Sequence, residues 1–295
     1  MEFEQVFSTH FVEQWGKAYE AFYRYRREGN FLLVPSLSGK TTWSYLPGLT
    51  YTDVTLQDAE QLLNVAAGKH FTIRTLDPLK SSFKEDEPVT MRIGIAGKTK
   101  EEVLAKFDGN KRRGMQRADE SGVVCKIGND VKMLNDFFYL YTSTMHRHGS
   151  PSIAKGLIET LQKYIEVDIV VAYIDNIPAA ALLIVYDNDI AWCPYGAADL
   201  HYSKLFPYET VYREAIFHAI DKQKSIFDCG RSPYGGGTYN FKKRLGAKAI
   251  GVSILKDIDE DIYSKYALAS KIWQRLPKRL VDVLGPKLRK YIADS

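Results

Sequence analysis

The stretch IFDCGRSPYGGGTYNFKKRLG, Ile226 to Gly246, decides how this chain is read. It opens on a short apolar run, Ile226-Phe227, which reads as the start of a buried strand. Asp228 and Arg231 come where that strand should end. Pro233, Tyr234 and three glycines, Gly235, Gly236 and Gly237, come next. An ordinary turn does not need three glycines, whereas a loop that lets backbone N–H groups approach a ligand closely does. Thr238 can cap the next element, and Phe241, Lys242, Lys243 and Leu245 read as a short helix ended by Gly246. Strand, charged strand end, Gly-rich loop and basic helix start are the parts of an anion or acyl-donor site. The competing reading is a flexible loop between two core elements.

Upstream, the pattern is orderly. Val123 to Ile127 reads as a strand. Val131, Leu134, Phe137, Phe138 and Tyr141 make a helix capped by Asn129 or Asp130. A turn, His146 to Pro151, leads to a second helix through Leu157 and Leu161. Three strands form a meander, Asp168–Ile174, Pro178–Tyr186 and Ile190–Tyr195. They are joined at Asp175-Asn176 and Asp187-Asn188-Asp189, which carry hairpin chemistry. Pro194 removes a ladder donor from the third strand and implies a bulge or an unpaired edge there. Pro207 opens a long helix through Val211, Ala215 and Ile220. Downstream of the central stretch, Ala249 to Leu255 is a last strand, and the tail from Asp257 reads as helical and basic.

The first 122 residues alternate helices and strands more loosely. Phe11, Trp15, Tyr19 and Phe22 repeat at helical spacing, and Arg24, Arg26 and Arg27 close that helix. Phe31 to Val34 is a strand. The LSGKTTW segment after it resembles a phosphate loop, but the required glycine five residues before Gly39 is Val34, so a turn is the better reading. Leu56 to Ala66 is a helix, Phe71 to Leu76 and Val89 to Ile95 are strands, and Thr99 with Glu102 is a capping box. From Lys106 to Arg117 the chain holds five basic residues and one acid, Asp108. Such a run is either a solvated helix face or a phosphate-contacting helix start in which Arg112, Arg113 and Arg117 face a cleft. The expected division is residues 1–122, 123–256 and a helical tail at 257–295 that packs back on the body.

At 295 residues, the chain has room for about two domains. Net charge is +4, which permits a phosphate-bearing partner without demanding stable DNA binding. Three cysteines cannot all pair, so they read as reduced and the compartment as cytoplasmic. The acidic, mixed first 15 residues do not read as a signal peptide, and no run approaches 18 apolar residues. Membrane association is then peripheral at most. No metal-ligand spacing stands out, and no Ser-His-Asp or Cys-His nucleophile pattern appears.

Element order and residues together resemble a known group. The order strand, helix, helix, meander, helix, strand, helix, strand is similar to N-acyltransferases of the GCN5-related (GNAT) type. Phe227-Asp228-Cys229-Gly230-Arg231-Ser232 and Gly237-Thr238-Tyr239-Asn240-Phe241-Lys242-Lys243 resemble the signature of FemAB-like proteins, the peptidoglycan interpeptide-bridge peptidyltransferases and their relatives. His146-Arg147-His148-Gly149-Ser150-Pro151 is similar to the turn of the branch found with exopolysaccharide and exosortase systems, and Arg113-Gly114-Met115-Gln116-Arg117-Ala118 to that family's basic helix. Cys229 stands where an aromatic is common, Leu245-Gly246 replaces an aromatic-Gly pair, and the long helical hairpin of some tRNA-using members is not evident. The resemblance implies an α/β fold with a mixed sheet in tandem GNAT-like domains, the C-terminal one better formed. In that fold the acyl donor enters where the third meander strand and the later strand splay apart. The donor it implies is an acyl-CoA or an aminoacyl-tRNA, with no metal.

Acyl transfer to an amine needs a neutral nucleophile, a proton acceptor and donors for the developing oxyanion. Lys242, at the family's Phe-Lys position, is the candidate for the oxyanion or the donor carbonyl, and a surface lysine is the plain alternative. Asp228 and His148 are candidate proton acceptors. Arg231 and Arg147 are candidate clamps for an acceptor carboxylate or phosphate. Tyr195, Tyr234 and Tyr239 would line the cleft, with Gly235, Gly236, Gly237, Asn240 and Lys243 around the loop. The expected function is transfer of an acyl or aminoacyl group to an amine of a small-molecule or lipid-linked cell-envelope or polysaccharide precursor, with tRNA as one possible donor carrier. The alternative is a GNAT-fold binding or assembly factor without turnover, acting in exopolysaccharide or cell-wall biosynthesis.

Overall fold

Residues 3–36, 39–66, 68–256 and 262–292 are described by a computed structural model. In chain order the elements are α1 (Thr9–Tyr23), β1 (Arg26–Glu28), β2 (Phe31–Pro35), β3 (Thr41–Ser44), α2 (Leu56–Ala66), β4 (Phe71–Asp77) and β5 (Pro88–Gly94). Then come α3 (Lys100–Ala105), α4 (Gly109–Glu120), β6 (Val124–Gly128), α5 (Val131–Arg147), α6 (Lys155–Leu161), β7 (Val167–Ile174), β8 (Ile177–Asp187) and β9 (Ile190–Ala198). A 3-10 turn at Leu200–Leu205 precedes α7 (Pro207–Asp221), β10 (Ile226–Pro233), α8 (Gly237–Lys243), β11 (Lys248–Lys256), α9 (Ile262–Arg275) and α10 (Lys278–Arg289). The fold is mixed α/β, as expected.

Contacts divide the chain into two units. The first is Met1–Gln5, Asp77–Tyr141 and Glu166–Val252; the second is Val6–Leu76, Thr142–Ile165 and Ser253–Ser295. The expected boundary at residue 122 is therefore not where contacts separate. The reason is β5, which pairs antiparallel with both β10 and β11 and so draws the segment after Asp77 into the first unit.

The first unit is built on a sheet in the order β11-β5-β10-β9-β8-β7-β6. Only β9 and β10 are parallel neighbours in it. The meander β7-β8-β9 is apolar along nearly its whole length, because helices cover it: α7 packs on β7, β8 and β9. Its first hairpin turns on Asp175 and Asn176, both at positive φ (51° and 64°), as short polar hairpin residues allow. The core gathers Val89, Met91 and Ile93 of β5, Leu182 and Ile184 of β8, Val211, Ala215 and Ile216 of α7 and Phe227 of β10. In the second unit, β1-β2-β3 is antiparallel and β4 joins parallel to β3. There α1, capped by Ser8, buries Phe11, Trp15 and Tyr19 at helical spacing and packs against α6.

Several local expectations change. Arg24 ends α1 in a left-handed conformation (φ 57°), and Arg26 and Arg27 belong to strand β1 rather than to the helix. Of LSGKTTW, Leu37 and Ser38 lie outside the described residues, and Thr41–Ser44 is strand β3. The basic run is split: α3 keeps the Thr99–Glu102 capping box, and α4 starts afresh behind the cap Asp108. His146 and Arg147 are helical, in the last turn of α5. Gly236, not Thr238, precedes α8, with no side-chain cap. The tail resumes as α9 and α10, while residues 257–261 lie outside the described set. Among the described residues no helix is long and apolar enough to cross a membrane.

Candidate active site

The distinctive geometry of the first unit is where β9 and β10 part. They pair in parallel only from Ile190 to Trp192 and from Ile226 to Asp228. Beyond that point β9 stays registered with β8, and β10 with β5. Both strands are bulged there. Cys193 and Pro194 together stand opposite Ile184, so the extra residue that Pro194 signalled is present. On β10, Cys229 and Gly230 fall in the register shift between Asp228 and Arg231.

The β10 bulge is held by the residues that the sequence nominates for chemistry. Asp228 is fully buried and accepts from Thr90 Oγ1 (2.6 Å), Arg92 Nε (2.9 Å) and the Gly230 N–H (2.8 Å). Arg92, equally buried, donates through Nη1 to the carbonyls of Phe3 (2.8 Å) and Gln5 (2.7 Å). From α8, Lys242 reaches back to donate to the carbonyls of Gly230 and Arg231, each at 3.0 Å. The bulge thus has its Gly230 N–H satisfied by Asp228 and its carbonyls by Lys242, which is what buried backbone requires. Burial lowers the Lys242 amine below the ordinary lysine value, while Cys229, Cys193 and Asp228 oppose that shift. Gly230 is at φ +78°, and a Cβ there would lie 2.6 Å from the Cys193 carbonyl, so only glycine lets the two bulges approach so closely.

Arg231 is exposed while Lys242 is buried. Tyr234 and Tyr239 pack with tilted rings, centroids 4.7 Å apart, and Phe83 joins them at 5.2 Å from Tyr234. Asn240 closes the glycine loop by donating to the Gly235 carbonyl (2.8 Å). Gly235 and Gly237 face open space. Lys243 is exposed, 5.8 Å from the Tyr239 ring. Tyr195 packs edge-on against Tyr141 (5.5 Å). On α4, Arg112, Arg113 and Arg117 are all exposed, and Arg113 donates to Asn110 of its own helix. The helix neighbour that does engage α7 is Lys111, paired with Glu209 at 2.6 Å and lying 4.3 Å from the Phe241 ring centroid. Arg147 and His148 belong to the second unit, where their carbonyls accept from Gln274 (2.9 Å) and Ser270 (3.4 Å). Partial burial, with the Arg147 charge adding, lowers the His148 imidazole below its ordinary value.

Sequence reasoning missed Arg92, Thr90 and Tyr208. A Cβ on Gly196 of β9 would meet the Tyr208 hydroxyl at 2.6 Å, so this phenol sits directly on the strand beyond the parting. Tyr208 and Tyr212, one turn apart on α7, pack edge-on with ring centroids 5.3 Å apart and enclose Phe241 at 5.2 and 5.3 Å. Burial raises both phenols, so both are protonated at neutral pH. The i, i+4 tyrosines just after Pro207 were the available signal. Arg92 had none, because an alternating strand reads the same with a buried arginine as with a solvent-facing one. The Cys193 thiol is pushed up to about 12 by burial, so it is not a nucleophile at neutral pH. Among the described residues no cluster of His, Cys, Asp and Glu could hold a metal ion.

A parallel strand pair that parts at facing bulges, with a long helix starting beside the gap, defines an N-acyltransferase fold of the GNAT class. Residues 105–243 match the family described as Acetyltransferase (GNAT) domain. Three solved structures share the fold. FemX is 13% identical, covering 83% of this chain and 85% of its own at a TM-score of 0.54. L-PGS from Bacillus licheniformis is 11% identical, with 94% and 100% covered and the same TM-score, 0.54. The C-terminal domain of a putative lysylphosphatidylglycerol synthetase from Agrobacterium fabrum is 12% identical, with 88% and 95% covered and a TM-score of 0.53. No curated protein matches the chain by sequence. The expected GNAT-type fold is thereby borne out.

Proposed function

We propose that the chain is an N-acyltransferase that moves an acyl or aminoacyl group from a CoA thioester or an aminoacyl-tRNA to an amine of a cell-envelope or polysaccharide precursor. The parting of β9 and β10 after Trp192 and Asp228 carries this reading, because it opens the sheet at the place where a GNAT-type donor enters. The name of one structural neighbour, a putative lysylphosphatidylglycerol synthetase, agrees in class with aminoacyl transfer to an envelope acceptor.

In this reading a neutral amine attacks the donor carbonyl. A C–N bond forms as the C–S bond of a thioester, or the C–O bond of an aminoacyl ester, breaks. Tyr208, protonated and resting on Gly196, gives its proton to the departing thiolate or alkoxide. The amine's surplus proton goes to solvent, from which Tyr208 is recharged. Asp228 and Lys242 act on the shape of the gap through the backbone, as positioning residues.

A second reading is a binding or assembly factor without turnover. The commitment of both Asp228 and Lys242 to backbone groups favours it. One experiment separates the two. Thermal shift against a panel of acyl-CoAs, aminoacyl-tRNA and nucleotide-sugars identifies the donor, since a ligand at 100 Kd stabilises by about 2.7 kcal/mol. Mass spectrometry of amine acceptors mixed with that donor then looks for product. Transfer is expected, falling about 100-fold in Tyr208→Phe with donor KM unchanged. Donor binding without any product supports the second reading, and no stabilisation by any donor removes both.

A further inference from the structure

Helix α10 carries more apolar surface than its own unit covers. Its buried row is Val281, Gly285 and Arg289, spaced i, i+4, i+8. A Cβ on Gly285 would lie 3.0 Å from the Ser152 hydroxyl and 3.6 Å from the Trp273 ring, which shows how closely this row is seated. Beside it, Leu280 is 44% and Val283 56% exposed. With half-buried Leu284 and exposed Lys287 they repeat at i, i+3, i+4, i+7, the spacing of a single helix face. Leu280 and Val283 therefore set two apolar side chains side by side on the solvent side of the helix.

Charge completes the pattern. Arg279 and Lys287 are exposed along this face. The one acid of the helix, Asp282, is held by Lys278 at 2.7 and 2.8 Å, and Lys278 also donates to Thr142 at 2.9 Å. On α9, Ile272 is 55% exposed, with Lys271 and Arg275 exposed on either side of it. A narrow apolar strip with cations at its margins fits an interface that is oily below and anionic above.

We propose that the exposed face of α10, with Ile272 of α9, docks on an anionic phospholipid bilayer surface, inserting Leu280 and Val283 while Arg279 and Lys287 meet the headgroups. The proposal is independent of the transfer reading. Its test is co-sedimentation of the full chain with vesicles of phosphatidylcholine alone or of equal parts phosphatidylcholine and phosphatidylglycerol. Binding is expected only to the anionic vesicles and falls as salt rises. Arg279→Gln with Lys287→Gln should weaken it about 25-fold, at roughly fivefold per cation. Leu280→Ser with Val283→Ser should weaken it about tenfold or more at unchanged charge. Both pairs are exposed, and circular dichroism checks each fold. No binding of the wild-type chain to anionic vesicles overturns the proposal, as does undiminished binding by either double variant. Light scattering adds one further overturning outcome: a dimer that needs Leu280 and Val283, without vesicle binding, would make the face a contact between copies.

Discussion

Asp228 gathers three donors in a fully buried place, and only one of them, Arg92, is charged. A buried ion pair adds little net stability, but removing one partner strands the other in a medium that solvates it poorly. Asp228→Asn leaves the Arg92 guanidinium without its counter-charge and weakens the Gly230 N–H bond. The expected loss is about 3–5 kcal/mol, read as a lower urea midpoint at unchanged m. A loss under about 1 kcal/mol would show that Asp228 is spared for chemistry rather than committed to structure. Lys242 belongs to the same assembly. Its position after Phe241 was legible in sequence, but its bonds to two carbonyls eleven and twelve residues earlier were not, because they depend on how α8 folds back over β10.

At the scale of the element, the bulge of β10 sets the opening beside β9. Gly230 in the bulge and Gly235 in the loop after the strand separate steric from conformational need. Gly230 and Gly235 have nearly the same left-handed φ, +78° and +79°. A Cβ at Gly235 meets nothing within 4 Å, whereas at Gly230 it meets the rigid backbone carbonyl of Cys193. Gly235→Ala should therefore cost about 1–2 kcal/mol, the left-handed penalty alone. Gly230→Ala should cost clearly more, since neither strand can yield without losing its pairing, and it should abolish donor binding. Denaturant unfolding of the two variants checks the ranking, and equal losses would remove the close-approach argument. The three-glycine run was readable from composition, but the decisive glycine was the isolated one inside an apparent strand.

For the whole molecule, contact and sequence order disagree. Residues 123–256 hold the meander, α7, β10 and α8, yet they lack β5, which lies between β10 and β11. Without β5, Asp228 has neither Arg92 nor Thr90, and β10 exposes a long apolar edge. A 123–256 fragment should be insoluble or lack native near-UV circular dichroism. A fragment that folds cooperatively would restore the boundary at residue 122.

The class of fold came from a resemblance; sequence alone determined the element order from Val123 to Leu255 and a break in the ladder at Pro194. Those features rest on local signals: alternation, capping, hairpin residues and a proline that cannot serve a ladder. Tertiary structure decided which residues meet. A strand's sequence records which positions face alike but not which strand lies beside it. The insertion of β5, the burial of Arg92 against Asp228, the return of Lys242 to the bulge and the seating of Tyr208 on Gly196 all join residues distant along the chain. Their free energy exists only once the sheet has formed.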